Sequence, residues 1–280
     1  DEAQRAWDKG KVERRHKGSV VGSEPDMFIG MANRIPDWGA VVGLIGTGQE
    51  IHDGEESGLQ QWVDAIVNTG EMDNWDIHAP PGIIEQLETG PIQSYSEPLL
   101  TLNATIRTHF GEMLHHWVDG VLGHVETPYE DLTDLYSQLK QSGFKIYYTN
   151  NLRKARMYLW NRYEKSPDAR YGMICSSRDK SLRGYGMKTL SWPKTLNYGR
   201  WYNESQDHAD SCCALDLAVT EFDSQGLELD CTLVGWGNDF IIQNGKWNND
   251  RAKRYAYTSD IKDAFTLRRN AYRVLLTRAR

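Results

Sequence analysis

Apolar residues along this chain recur in two rhythms, one of three to four residues and one of short unbroken runs, and the two alternate. Ser23-Glu24-Pro25-Asp26 offers an N-cap, an early proline and an acidic third position before Met27, Met31 and Ile35 at helical spacing. Residues 40–45, Ala-Val-Val-Gly-Leu-Ile, form a short apolar run that ends at glycines, the pattern of a buried parallel strand. Thr127-Pro128-Tyr129-Glu130 reads as a capping box with proline at the first helical position. It leads into Leu132, Leu135, Tyr136 and Leu139, with Gly143 as the stop. A strand is expected over 144–148 and a helix over Leu152–Tyr163. Further strands are expected at Tyr171–Cys175, 214–219 and 231–236, and a last helix at 265–277. Strands alternating with helices at this spacing predict α/β architecture with a parallel sheet. A boundary is expected near Gly90-Pro91, after the Pro80-Pro81-Gly82 turn and before a new alternating series.

With 280 residues, 25% charged and 39% hydrophobic, the chain has room for one large domain or two modest ones. Mean hydropathy is −0.63, and the longest apolar run is far shorter than the roughly 20 residues a membrane helix needs, so no membrane span is expected. The chain opens Asp1-Glu2-Ala3-Gln4-Arg5 without an initiator methionine or a signal-peptide pattern, and reads as a piece of something longer. Four cysteines in this length do not make a disulfide framework, which favours a reducing cytoplasm.

Charge changes the picture more than composition does. The formal net charge is −7, yet residues 1–140 carry 9 Lys and Arg against 24 Asp and Glu, and residues 141–200 carry 13 against 3. Residues 201–250 then carry 1 against 10, and residues 251–280 carry 9 against 2. Two basic blocks in an acidic chain would suit a groove for a phosphate-bearing partner. They would equally be solvated helix faces paired with acidic neighbours, and charge alone favours this second reading.

Several segments carry candidate chemistry. Asp1 and Glu2 are adjacent acids of the kind that hold Mg²⁺ and orient an attacking water in nucleotide hydrolysis; alone at a terminus such a pair is usually surface charge. Gly46-Thr47-Gly48-Gln49-Glu50 turns directly after the run at 40–45 and aims an uncharged amide, Gln49, from its end, although a plain left-handed turn explains it as well. No G-x-x-x-x-G-K-[ST] and no G-x-G-x-x-G occurs, so the chain itself contains neither a P-loop nor a dinucleotide fingerprint. Residues 221–230 place Glu221, Asp223, Glu228 and Asp230 in one polar turn between apolar strands, as ligand-binding sheet edges do. On the last helix, Leu267, Ala271, Val274 and Leu275 form an apolar stripe that Arg278 continues, so this guanidinium needs an anionic partner, either a carboxylate or a transferred phosphate. His115-His116 and Cys212-Cys213 lack the spacing of a zinc site, and no Ser-His-Asp arrangement emerges. Trp192, Trp201 and Tyr202 near a basic block are candidates for stacking on nucleobases.

The order of these segments is more specific than any one of them. Asp1-Glu2-Ala3-Gln4, Gly46-x-Gly48-Gln49, Arg107, Gln225-Gly226-Leu227-Glu228 and Thr277-Arg278-Ala279 resemble motifs II to VI of superfamily 1 helicases. Across residues 44–62, 169–177, 220–236 and 270–280 the wording is closer still to the Schlafen group 3 DNA/RNA helicase domain, and the resemblance covers essentially the whole chain. It implies two RecA-like parallel-sheet domains with helices on both faces and ATP in the cleft between them. Residues 1–92 would finish a truncated first domain, and 93–280 would form the second without its last strand. It further implies Mg²⁺ on Asp1, water activation by Glu2, γ-phosphate sensing by Gln49, and γ-phosphate contacts from Arg107 and Arg278. Gly48, Gln225, Gly226 and Glu228 would help bind nucleotide, with single-stranded DNA or RNA as the partner. The Walker A loop of the family would precede Asp1, so residues 1–280 alone are not expected to hydrolyse ATP. The same resemblance fits a second reading, a non-translocating NTP-binding module attached to a nuclease or defence domain.

Overall fold

The computed structural model describes all residues except 1, 18–21, 47–50, 52–57, 102–110, 124, 190–195, 254–260, 262 and 280. The chain divides into two compact units, Asp1–Ala104 with Ala256–Leu267, and Thr105–Tyr255 with Arg268–Arg280. The fold is mixed α/β with small parallel sheets. Among the described residues no helix is long and apolar enough to cross a membrane.

In the first unit, α1 (Lys9–Arg15), α2 (Glu24–Ala32), α3 (Gln60–Thr69) and the single turn α4 (Pro81–Ile84) accompany two short strands. The capping box at the start of α2 forms as its sequence predicts: Asp26 N–H donates to Ser23 Oγ at 3.1 Å, and Ser23 N–H donates to the Asp26 carboxylate at 2.8 Å. Strands β1 (Asp76–Ala79) and β2 (Gln93–Ser96) pair in parallel, from Asp76 opposite Gln93 to Ala79 opposite Ser96. The core is built by Ile29 of α2, by Val63, Ala65 and Ile66 of α3, and by Ile92, with Trp62, Trp75 and Ile77 packed against it.

The expected strand at 40–45 is not one. The segment joins no ladder, and Val42 is 79% exposed. An apolar run supplies the propensity for a strand, but the ladder requires neighbours with free backbone groups. Ala3 N–H donates to Leu44 O in this run at 2.8 Å.

The second unit contains α5 (Gly111–Val121), α6 (Tyr129–Gln141), α7 (Leu152–Tyr163), β3 (Tyr171–Cys175), α8 (Tyr198–Asn203), β4 (Ala218–Thr220), β5 (Cys231–Gly235), β6 (Ile241–Gln243), β7 (Lys246–Asn248) and α9 (Ala264–Leu276), of which the residues from Arg268 belong here. Strands β3, β4 and β5 form a parallel sheet in the order β4-β3-β5, with Ile174 opposite both Val219 and Val234. Every residue of β3 is buried, as a central parallel strand requires. The strand expected at 214–219 is shorter and later, because residues 212–214 form a single 3₁₀ turn that Ser211 caps.

The run at 144–148 also stays out of the sheet, and Tyr147 and Tyr148 project 66% and 94% exposed. Gly143 ends α6 as expected: at φ +98° it closes the helix with Gly143 N–H on Lys140 O and Phe144 N–H on Leu139 O. The capping box expected before α6 does not form. Pro128 occupies the N-cap position, and the Thr127 hydroxyl turns to Val125 O at 3.3 Å. A hairpin that hydrophobic patterning did not predict, β6–β7, turns on Asn244 and Gly245, both at positive φ, the pair that a two-residue turn favours.

Candidate functional site

In the first unit the site is built around Gln4. Its side chain is 1% exposed and makes a two-way amide pairing with Gly46, Nε2 donating to Gly46 O at 2.8 Å and Gly46 N–H donating to Oε1 at 3.0 Å. The same Nε2 donates to the Glu2 carboxylate at 2.6 Å. Trp62 Nε1–H donates to Ala3 O at 2.8 Å, and Gln61 donates to Ala6 O at 2.6 Å, so α3 holds the segment from behind. Glu2 itself adopts the left-handed conformation, φ 56° and ψ 45°, which costs a residue with a Cβ about 1 kcal/mol or more. The first acidic motif is thereby fixed to the residue that opens the Gly-x-Gly-Gln turn, 42 positions away. Asp1, Gly48, Gln49 and Arg107 lie outside the described residues.

In the second unit the carboxyl ends of β3, β4 and β5 converge on a buried polar network. Ser176 follows β3, Glu221 follows β4, and Asp239 lies four residues past β5; their relative exposures are 3%, 0% and 0%. Arg268 of α9, 2% exposed, unites them. It donates to Glu221 Oε1 at 2.5 Å and to Ser176 Oγ at 3.0 Å, with Asp239 Oδ2 at 3.5 Å. Ser176 Oγ donates to Asp239 Oδ2, and the Tyr272 hydroxyl, one helical turn beyond Arg268, donates to Asp239 Oδ1 at 2.5 Å. Ser177 donates to Glu221 through both its backbone N–H, at 2.7 Å, and its hydroxyl, at 2.9 Å.

Burial raises the Asp239 carboxyl above the usual carboxylate range, against the pull of Ser176, Tyr272 and Arg268. Burial would raise Asp179 too, yet it is held low because the backbone N–H groups of Leu182, Asn238 and Ser181 and the Ser181 hydroxyl all donate to it. Cys175, pushed up to about 12 by burial and then by the Glu221 charge, is a thiol and not a nucleophile.

The polar turn at 221–230 divides its carboxylates between structure and site. Glu221 serves Arg268 and Ser177. Asp223 accepts from Thr220 N–H at 3.0 Å, from its hydroxyl at 2.7 Å and from the Tyr198 hydroxyl at 2.6 Å, and Asp230 accepts from Arg170 N–H at 2.7 Å. Three of the four acids therefore shape the loop. Gln225 and Glu228 are half-buried on either side of the exposed Gly226, which sits at φ +79°.

Arg278 is brought to this loop. Its guanidinium, 8% exposed, reaches Val274 O at 3.4 Å and Leu227 O at 3.5 Å, and its carbonyl accepts from Leu229 N–H at 3.2 Å. Leu229 and Ala279 form a parallel bridge. The predicted apolar stripe of α9 is buried throughout: Leu267, Ala271, Val274 and Leu275 are each at most 1% exposed. Arg273, on the neighbouring face, grips Asp119 of α5 through Nε at 2.5 Å and Nη2 at 3.2 Å.

Sequence reading singles out neither Ser176, Asp239, Arg268 and Tyr272 nor the part played by Gln4. The signal was present in the polar residues that directly follow each apolar strand, Ser176-Ser177-Arg178-Asp179 after β3 and Trp236-Gly237-Asn238-Asp239 after β5. Among the described residues no group of three or more His, Cys, Asp or Glu side chains is arranged to hold a metal ion.

Over residues 1–280 the chain matches the family described as Schlafen group 3, DNA/RNA helicase domain. No curated protein and no solved structure matches the chain. The chain belongs to the Schlafen group 3 DNA/RNA helicase domain family.

Proposed function

We propose that this chain is the motif II to motif VI part of an ATP-dependent DNA/RNA helicase-like motor, with RecA-like domains at 1–92 and 93–280. The observation that carries this reading is the junction of Arg278 with the loop of Gln225, Gly226 and Glu228. An NTPase motor needs its nucleotide-sensing arginine and its nucleic-acid-coupling loop to move as one, and here two segments some fifty residues apart share backbone bonds. The Glu2 carboxylate, oriented by the Gln4 amide, fits the work of positioning a water, which needs one fixed acceptor and a defined geometry.

On this reading Asp1 would hold Mg²⁺ and Glu2 would orient the water. Gln49 and Gly48 would face the γ-phosphate, and Arg107 and Arg278 would stabilise its developing charge. ATP, when bound, supplies the phosphoanhydride whose cleavage drives the cycle. The nucleic acid would be single-stranded, and the setting cytoplasmic.

The gene product containing these residues should hydrolyse ATP, with turnover stimulated by single-stranded DNA or RNA and lost in Glu2→Gln and Arg278→Ala. The 280 residues themselves contain no Walker A loop and should show no turnover. Tight ATP binding with slow turnover indifferent to nucleic acid would instead establish the second reading, a regulatory NTP-binding module serving an attached nuclease or defence domain.

A further inference from the structure

Residues 141–163 carry five cations and no carboxylate. Four of the cations, Arg153, Lys154, Arg156 and Arg162, lie on α7. A solvated helix face intersperses the two signs. Here, among the described residues, no carboxylate lies within ion-pair distance of Lys154 or Arg162, and both are exposed. Lys154, Tyr158 and Arg162 follow one another at i, i+4 and i+8, so they form one line along the helix, about 12 Å long at 1.5 Å per residue.

Aromatic rings accompany that line. The Tyr147 ring packs on Tyr158 with centroids 5.1 Å apart and planes at 60°, and Arg162 Nη1 donates to the Tyr158 hydroxyl at 3.2 Å. Tyr147 remains 66% exposed in this contact, and its neighbour Tyr148 is 94% exposed. Because the run at 144–148 stays out of the sheet, it presents these rings to solvent instead of burying them.

We propose that the face made by Tyr147, Tyr148, Tyr158, Lys154 and Arg162 is a platform for single-stranded nucleic acid. The cations neutralise phosphates of the backbone, and the open tyrosine rings stack on bases whose faces are available only when unpaired. An acidic polypeptide would be served by the cations alone and would leave the rings without purpose. The proposal rests on the nucleic-acid part of the function proposed above, and it locates a contact surface on the second unit that none of the helicase motifs includes.

The test uses the full chain and fluorescein-labelled oligothymidylate and oligouridylate of about 20 nucleotides, long enough for a single-strand site. Anisotropy titrations at several salt concentrations should show Tyr147→Ala/Tyr148→Ala binding weakened about tenfold or more. Lys154→Ala should lower the slope of log affinity against log salt by about 0.7. Photo-crosslinking through 5-iodouridine should place the adduct on Tyr147 or Tyr148. Both rings are exposed, so the circular dichroism of the tyrosine variant should match that of the parent.

Normal affinity in the tyrosine variant, with the adduct elsewhere, would overturn the platform while leaving the nucleic-acid reading intact. If the parent chain bound neither oligonucleotide, both would fall together. Displacement by polyglutamate as readily as by oligonucleotide, with the tyrosine variant unaffected, would assign the face to an acidic protein and overturn the proposal.

Discussion

Replacing Arg268 with methionine should be the most costly single change in the second unit, and its cost should depend on pH. The guanidinium is 2% exposed and compensates two carboxyl groups that are themselves fully buried, Glu221 by contact at 2.5 Å and Asp239 at 3.5 Å. Methionine fills much of the same volume, so the loss is electrostatic and not a matter of packing. Removing one partner of a buried ion pair costs about 3–5 kcal/mol, because the remaining charge stays dehydrated without compensation. Against a typical domain stability of about 5–15 kcal/mol this is about a fifth or more.

The pH dependence has a defined sign. The folded-state pKa of Asp239 is already raised by burial, and losing Arg268 raises it further. A carboxyl whose folded pKa exceeds its unfolded value of about 3.9 contributes its full stability below that value and loses it as pH rises through the folded pKa. The deficit of Arg268→Met relative to the parent should therefore grow between about pH 5 and pH 7.5, the window that opens above the unfolded pKa. Urea unfolding at the two pH values, followed by tryptophan fluorescence, reads this out. Trp236 lies 4.4 Å from the Tyr272 ring and reports on the network directly. The double variant Arg268→Met/Glu221→Gln should recover part of the loss by removing one uncompensated charge. A loss below about 1 kcal/mol, or one equal at both pH values, would refute the assignment of Arg268 as the compensating charge.

Three further outcomes are expected. Gln4→Ala removes both bonds to Gly46 and the bond to Glu2, and should cost the first unit about 1–3 kcal/mol, with faster hydrogen exchange at the Gly46 amide as the specific readout. Asp179→Asn should destabilise at neutral pH. The depressed pKa of Asp179 contributes stability that is present above about pH 3.9 and lost as pH falls through the folded value, so the gap between parent and variant should close in acid melts. Gly245→Ala forces a side chain onto φ +76° and should cost about 1–2 kcal/mol in thermal unfolding, with Gly245→Asn costing less.

How much of this was legible depended on whether the signal was local. Leu152–Tyr163 and Tyr171–Cys175 appear at their expected limits, because their signals are complete within a few residues; in the structure the Asn151 side chain also caps the helix by accepting from Lys154 N–H at 3.0 Å. The Ser23 capping box is legible for the same reason. Residues 40–45 and 144–148 are both rich in strand-forming residues and fail as strands, since pairing is settled by neighbours that the segment does not encode. Conversely β1 and β2 pair although each is only four residues long and neither contains an unbroken apolar run. Thr127 had the residues of a cap but not the geometry, once Pro128 took the N-cap position. In the candidate site, the Gln225–Glu228 and Arg278 motifs were legible as wording, and the structure brings them side by side. The Arg268 network was not legible. Its bonds span 47 and 92 positions, and the first of two adjacent arginines, three residues before the stripe residue Ala271, looks like any surface cation until the strands close around it.

That network also sets a timetable for synthesis. The three strands of the parallel sheet are complete once Gly235 has been made, and the last buried acid follows at Asp239, yet Arg268, the cation that pairs with both Glu221 and Asp239, comes 29 residues later. A nascent chain that has reached Asp239 can pair β3 with β5 only by drying two carboxylates that Arg268 does not yet neutralise, so water should keep the strand ends open. Parallel ladders closing over loops of this length are slow to form in any case. The sheet is therefore expected to stay unfinished on the ribosome until α9 emerges, leaving chaperones a defined interval in which its apolar strands are exposed.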